Sequence, residues 1–307
     1  MQELLTLMHR PSPRQTLRGL SCMLIASGLF ALMASCVFAA SRTDPPVAAA
    51  MVSFIRVSVN LLILLLPALA SRRVPALFGD YRLSLWLRGL FGGVSLILSF
   101  ASIQRIGPGE SAFLWSSSGI FVAALGPWIL SQRSRGLDWL AILGACSGLA
   151  LLLRPNLAVD TDLIGRVMGL GSGFLAALAY LMIARAGRSN PPQTVVFYFC
   201  LVSLGVHALW FAVDGFHLPA SPEAWAWTLA AGLAGSVAQF YLTRAYQLAP
   251  ATLVSAVGYA APVMSLGLGI VLFGRVPDTT ALLGCGLVLL SGVALPFLSA
   301  RRQPVDA

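Results

Sequence analysis

The chain has 307 residues, of which 58% are hydrophobic and 10% charged, with a mean hydropathy of +0.84 and a formal net charge of +9. An ordinary soluble domain carries about 25% charged residues, so the composition excludes a water-soluble globule and makes the bilayer the solvent. All 20 basic residues are arginine, and no basic patch interleaves with aromatics, so nucleic acid is not an expected partner.

Apolar stretches of roughly 20 residues cross about 30 Å of hydrocarbon as helices. Ten follow one another in chain order: Leu20–Ala40, Val47–Ala70, Leu83–Ile103, Pro108–Leu130, Leu137–Leu153, Ile164–Ala184, Gln193–Val213, Ala224–Tyr241, Ala251–Phe273 and Thr280–Leu298. Their connections are mostly under about a dozen residues, which leaves no room for a soluble catalytic or regulatory domain. The first stretch resembles a signal peptide, and Leu32 to Cys36 approximates a lipoprotein cleavage box. Both readings are set aside, because the run is too long for a signal core and recurs as the sixth stretch. Thirteen arginines fall in the N-terminal tail and every second connection after it, among them Arg72, Arg73, Arg133, Arg185 and Arg301. Five fall on the opposite side (Arg42, Arg105, Arg154, Arg166, Arg275), and Arg56 and Arg88 lie inside spans. The positive-inside rule then expects both termini in the cytoplasm and the chain in the cytoplasmic (inner) membrane. Cys22, Cys36, Cys146, Cys200 and Cys285 all fall within spans without metal-ligand spacing. They read as small packing residues, and no metal or cofactor is expected.

Sliding the chain on itself by about 142 to 145 residues brings Ser27 and Gly28 onto Ser172 and Gly173, Pro46 onto Pro191, Gly93 onto Gly235, and Pro108 onto Pro250. Glycine and proline matches weigh more than leucine matches because they fix backbone behaviour. Five spans per copy force the second copy to enter the bilayer from the other side. The expected fold is therefore an all-α integral membrane protein of ten transmembrane helices in two inverted five-helix repeats, residues 19–155 and 163–299, flanked by tails 1–18 and 300–307. Many secondary transporters share this design and bind substrate near the midplane.

The stretches "SFIRVSVNLLILLLP", "LRGLFGGVSLILSFASIQRIGPGESAFLWSSSGIFVAAL" and "LTRAYQLAPATLVSAVGYAAPVMSLGLGIVLFG" resemble the EamA-type members of the drug/metabolite transporter superfamily. The resemblance runs from about Gly19 to Leu298. It implies a central cavity lined by the first four helices of each repeat, with the fifth bracing it. The family's usual proline in the fourth span is kept in repeat two at Pro262, whereas repeat one has Ile120; the acids that commonly close the fourth and ninth spans are Gln132 and Arg275 here.

Arg56 is the sharpest single residue. Ten residues from Pro46, at 1.5 Å each, it lies about 15 Å deep, where an arginine costs roughly 2.5–3.5 kcal/mol on insertion scales and needs a partner. Ser53 and Asn60 lie one turn to either side. Arg56 either binds a carboxylate or phosphate of a substrate or is tied to neighbouring helix carbonyls. Trp115, Ser116, Ser117, Ser118 and Gly119 occupy the stretch that corresponds to Tyr259 and Pro262. Serines bond back to carbonyls and bend helices, so Ser117, Gly119 and Pro262 are the candidate gating bends. Arg56, Asn60, Trp115, Ser118, Tyr180, Tyr198, Gln239 and Tyr259 are the candidate substrate-binding residues, since deep polar side chains need partners. Glu110 after Pro108 reads as a first-turn acid favouring the helix dipole. His207 reads as a satisfied histidine, and the tryptophans at span ends as an interfacial belt. The pairs Gly144/Gly148, Gly165/Gly169 and Gly169/Gly173 imply close helix packing, within one chain or between two in a homodimer.

No deep acid is available for a proton relay of the small multidrug type, and no Ser/His, paired-acid or metal constellation supports an enzyme. The expected function is a secondary transporter, working as an exporter, for a small amino acid-like, zwitterionic or anionic metabolite. The alternatives are a membrane scaffold or a lipid or nucleotide-sugar carrier on the same fold.

Overall fold

The computed structural model describes residues 13–129, 143–144, 147–148, 151, 162–186, 189–249, 254, 257–274 and 276–300. The described residues are helical apart from short connections and contain no strand, as hydrocarbon requires of a chain that must satisfy its own backbone hydrogen bonds. In chain order the helices are α1 Pro13–Ala40, α2 Ala49–Ala70, α3 Leu83–Ile106, α4 Pro108–Ser116, α5 Ser118–Ile129, α6 Leu163–Ala186, α7 Pro192–Asp214, α8 Pro222–Leu248, α9 Ala260–Phe273 and α10 Thr279–Ala300. Of the fifth predicted span only 143–144, 147–148 and 151 are described, all helical. Gln132, Cys146, Arg154, Pro250 and Arg275 lie outside the described residues.

Among the described residues, five helices are long and apolar enough to cross a membrane: those over Arg14–Ala40, Ala49–Ala70, Leu83–Ile106, Leu163–Ile183 and Pro192–Asp214. The other predicted spans differ for visible reasons. The fourth is divided at Ser117, and the eighth, although 27 residues long, carries Gln239, Arg244 and Gln247. The ninth is helical as α9 only from Ala260, and both α9 and Leu282–Ser291 of α10 are apolar but short.

Local chemistry sets the ends. Gly107, at φ 91°, turns the chain from α3 into Pro108, whose ring suits the first helical position. The Asp162 carboxylate accepts from the Gly165 backbone N–H at 2.8 Å, and the Ser221 hydroxyl from that of Ala224 at 3.1 Å, capping α6 and α8.

The most extensive contacts all join a helix of the N-terminal half to one of the C-terminal half. α3 packs on α6 and α1 on α8, followed by α3 on α7, α1 on α9, α2 on α8, α4 on α9, α4 on α6 and α2 on α7. The largest core cluster lies among α1, α2, α3, α7 and α8, and includes Phe38, Met51, Phe100, Phe199 and Cys200. Small residues permit this closeness. A Cβ on Gly165 would strike Arg105, one on Gly169 would strike Ser102 and Leu114, and one on Gly148 would strike the Gly284 carbonyl and Leu287. These small-residue motifs therefore pack within one chain. Large apolar side chains such as Leu62, Leu66, Trp128, Leu209 and Val271 are exposed, as expected of surfaces facing lipid tails.

At the end of the bundle where α2 leads into α3, the two halves are tied by a polar network. The Asp80 carboxylate accepts from Asn190 Nδ2 and Ser189 Oγ, both at 2.7 Å, and pairs with Arg82 at 2.6 Å. Asn190 Oδ1 accepts in return from the Asp80 backbone N–H at 3.1 Å. Slight desolvation pushes the Asp80 carboxyl up, and the hydrogen bonds from Asn190 and Ser189 with the Arg82 charge outweigh it, so the group is held below the usual carboxylate range.

Candidate functional site

Among the described residues three arginines are buried, and two of them, Arg56 and Arg88, have no carboxylate partner there. Arg56 projects from α2 with its guanidinium 5.9 Å from the Phe100 ring centre, and Arg88 from α3 with its guanidinium 4.5 Å from that of Phe199. They are 5% and 6% exposed. The Nε of each lacks a hydrogen-bond partner among the described residues. The room for Arg56 comes from α8, where a Cβ on Gly235 would lie 2.5 Å from its Nε. Arg88 Nη1 fills the corresponding gap beside Gly92 on its own helix. Phe100, Phe199 and the next residue, Cys200 of α7, belong to one core cluster. Tyr180 of α6 packs edge-to-face on Trp115 of α4, with ring centres 6.3 Å apart.

Asn60 is buried one turn along α2 from Arg56, and Gln239 is half-buried one turn along α8 from Gly235. Asn60 and Gln239 thus lie one turn from Arg56 and from the glycine that seats it, while Trp115 and Tyr180 pair with each other across α4 and α6. A turn before Arg56, the Ser53 hydroxyl meets His207 Nε2 at 2.6 Å. His207 Nδ1 is 2.7 Å from the Ser203 carbonyl, which can only accept, so Nδ1 carries the proton in that contact. His207 is a satisfied core residue.

The candidate bends form a second group. The Ser116 and Ser117 hydroxyls donate to the carbonyls of Phe113 and Leu114 at 2.7 and 2.6 Å, and the helix divides at Ser117. In the other half the chain turns at Tyr259 before α9 begins, with Pro262 buried in its first turn. The breaks meet: the Tyr259 hydroxyl donates to the Ser116 carbonyl at 3.4 Å, a long bond, and a Cβ on Gly119 would lie 3.1 Å from that hydroxyl. Ser118, at the head of α5, is buried beside them.

Tyr198 lies at the end of the bundle where α2 leads into α3. It is 1% exposed, its hydroxyl donates to the Phe78 carbonyl at 3.0 Å, and its ring packs edge-to-face on Trp86. It therefore anchors the α2–α3 connection alongside the Asp80 network and does not face the arginines. Glu110 also has a structural partner: Arg166 of α6, 5% exposed, pairs with it at 3.2 Å. Nearby, Arg105 pairs with Asp162 at 2.6 Å. A cleft of about 290 Å³ lies at this end, between the α3–α4 turn and the end of α9, with Glu110, Leu266 and Pro277 in its wall. It is separate from the arginine pair. Among the described residues no three His, Cys, Asp or Glu converge to hold a metal ion.

Sequence reasoning placed Arg88 inside a span but assigned it no role, and it missed Arg166 as the partner of Glu110. For Arg88 the signal was available in the form of a second arginine within an apolar run. For Arg166 none was, because the pairing crosses 56 residues of chain.

The profile of the EamA-like transporter family matches residues 17–154 and again residues 163–295. The pseudopaline exporter CntI of Pseudomonas aeruginosa is 28% identical over 286 residues, covering 90% of this chain and 95% of its own. An uncharacterized transporter of Helicobacter pylori is 27% identical over 297 residues, covering 94% and 98%. A crystal structure superposes on 95% of this chain and 99% of its own with a TM-score of 0.64 at 20% identity, which shows the fold alone. The chain belongs to the EamA-like transporter family, and it is a membrane transporter, not an enzyme.

Proposed function

We propose that the protein is a secondary transporter of the cytoplasmic membrane that exports a small metabolite bearing an acidic group, zwitterionic or anionic, by alternating access between two inverted five-helix repeats. The observation that carries the reading is Arg56, buried at mid-span with its Nε unpartnered among the described residues. A charge in that position is costly unless a ligand answers it, and guanidinium geometry suits a carboxylate.

Three features support the repeats. The family profile matches twice. The helix breaks at Ser117 and Tyr259 lie at corresponding positions of the two copies. Exchanging α1 with α6, α2 with α7, α3 with α8 and α4 with α9 also turns the set of leading helix contacts into itself. The arginine distribution supports cytoplasmic termini, and the exporter name of the Pseudomonas aeruginosa relative supports the outward direction.

Inside-out vesicles from cells overproducing the protein, offered a panel of labelled amino acids and small organic acids, test the reading. At least one should accumulate under an imposed gradient. Arg56→Ala should lower its uptake at least about tenfold, the loss of one charge-assisted hydrogen bond, with protein yield and thermal stability maintained. If vesicles move none of the panel under any gradient, the reading fails. If Arg56→Ala prevents folding while Arg56→Lys transports normally, Arg56 is a structural residue.

A further inference from the structure

Among the described residues, no carboxylate pairs with Arg56 or Arg88. The described carboxylates are engaged elsewhere: Asp80 with Arg82, Glu110 with Arg166 and Asp162 with Arg105, while Asp214 and Glu223 accept from the ring nitrogens of Trp210 and Trp227. Asp44 and Asp278 lie in the connections α1–α2 and α9–α10. The neighbouring Phe100 and Phe199 rings offer only their π-faces, which are no substitute for a counter-charge. Two like charges in one water-poor interior each require an answering anion.

The positions of the heads are also constrained. Phe199 lies under Arg88 and Phe100 under Arg56, and the two rings belong to one core cluster. Arg56 is seated against the bare backbone of α8 at Gly235, and Arg88 against its own helix at Gly92. A single acidic group leaves one guanidinium bare. A molecule with two acidic groups answers both and loses its translational freedom only once.

Building on the transport reading above, we propose that Arg56 and Arg88 together bind a substrate with two carboxylate groups, each guanidinium taking one. Arg56 alone accounts for a monoacid; Arg88 makes the site selective for the doubly charged form.

The test uses the purified full chain in detergent, titrated with the straight-chain diacids from malonate to adipate and with the monomethyl ester of each. Binding is read as the concentration-dependent rise in unfolding temperature. At least one diacid should bind about tenfold or more tightly than its own monoester, the value of one added charged hydrogen bond. Arg88→Gln should bring that ratio close to one, and Arg88→Lys should retain part of it. The proposal is overturned if no diacid outbinds its ester in the wild-type protein, or if the preference survives in Arg88→Gln. Should Arg88→Gln not fold, the wild-type ratio and its value in Arg88→Lys decide. The two readings fail separately. A diacid bound but never moved across a liposome removes the transport function and keeps this site, whereas monoacid transport without diacid preference does the reverse.

Discussion

Gly173, on α6, faces the point where α4 gives way to α5, and Gly173→Ala probes that junction directly. A Cβ built there would lie 2.8 Å from the Leu114 carbonyl oxygen and 3.1 Å from that of Trp115, and would also meet the Ser117 hydroxyl. Ordinary van der Waals contact begins near 3.4 Å, so the helices must separate by about 0.6 Å, against backbone oxygens that cannot rotate aside. Overpacking of this kind costs about 1–3 kcal/mol, and the rigid obstacle places it at the upper end. The better helix propensity of alanine returns roughly 0.8–1 kcal/mol, for a net loss of about 1–2 kcal/mol. Gly205→Ala is the matched control, since nothing lies within 4 Å of its Cβ position, and it should gain about 0.5–1 kcal/mol from propensity alone. Thermal unfolding of the purified proteins in one detergent should therefore place Gly173→Ala several degrees below Gly205→Ala, with the wild-type protein between them. If Gly173→Ala unfolds at or above the control, the tight approach of α6 to the helix break is wrong.

Tyr198→Phe removes the hydroxyl that donates to Phe78 at 3.0 Å and should cost about 1 kcal/mol of stability. Transport KM should stay unchanged, because the residue lies apart from the arginines; a raised KM at unchanged unfolding temperature would return Tyr198 to the binding site. Asp80 makes a pH prediction. Its carboxyl is held below the usual range, so its contribution is present above the unfolded-state value near 4 and is lost as pH falls through the lower folded value. Unfolding temperature measured from pH 7 downward should decline less steeply in Asp80→Asn than in the wild-type protein, from a lower starting point; parallel curves would show that the Asp80 contacts contribute nothing.

Much of this was legible in the sequence because a bilayer allows so few solutions. Apolar runs of spanning length located the five described helices long enough to cross a membrane, and matched glycines and prolines are the ground on which two repeats are proposed. The serine run at 116–118 marked the place where a helix divides, since hydroxyls compete with amides for carbonyls. What escaped was tertiary. Arg88 lies only five residues into α3, close enough to the end for a long side chain to reach the headgroups; only the packing of α7 and the gap at Gly92 show that it turns inward. Tyr198 looked like a deep polar residue of α7, and nothing local signals that the α2–α3 connection folds back to receive its hydroxyl. The Glu110–Arg166 pair depends on α4 meeting α6, which periodicity along either helix cannot reveal.

The dominance of contacts between early and late helices has a consequence for biosynthesis. At about 5–20 residues per second, the ribosome needs roughly four to sixteen seconds after α3 to deliver α6, and roughly ten to forty seconds after α1 to deliver α8. During that interval the nascent chain sits in the lipid with its glycine faces unfilled and two guanidinium groups unscreened. It is in this window, before any cargo is met, that a quality-control protease or an insertion chaperone has most to recognise.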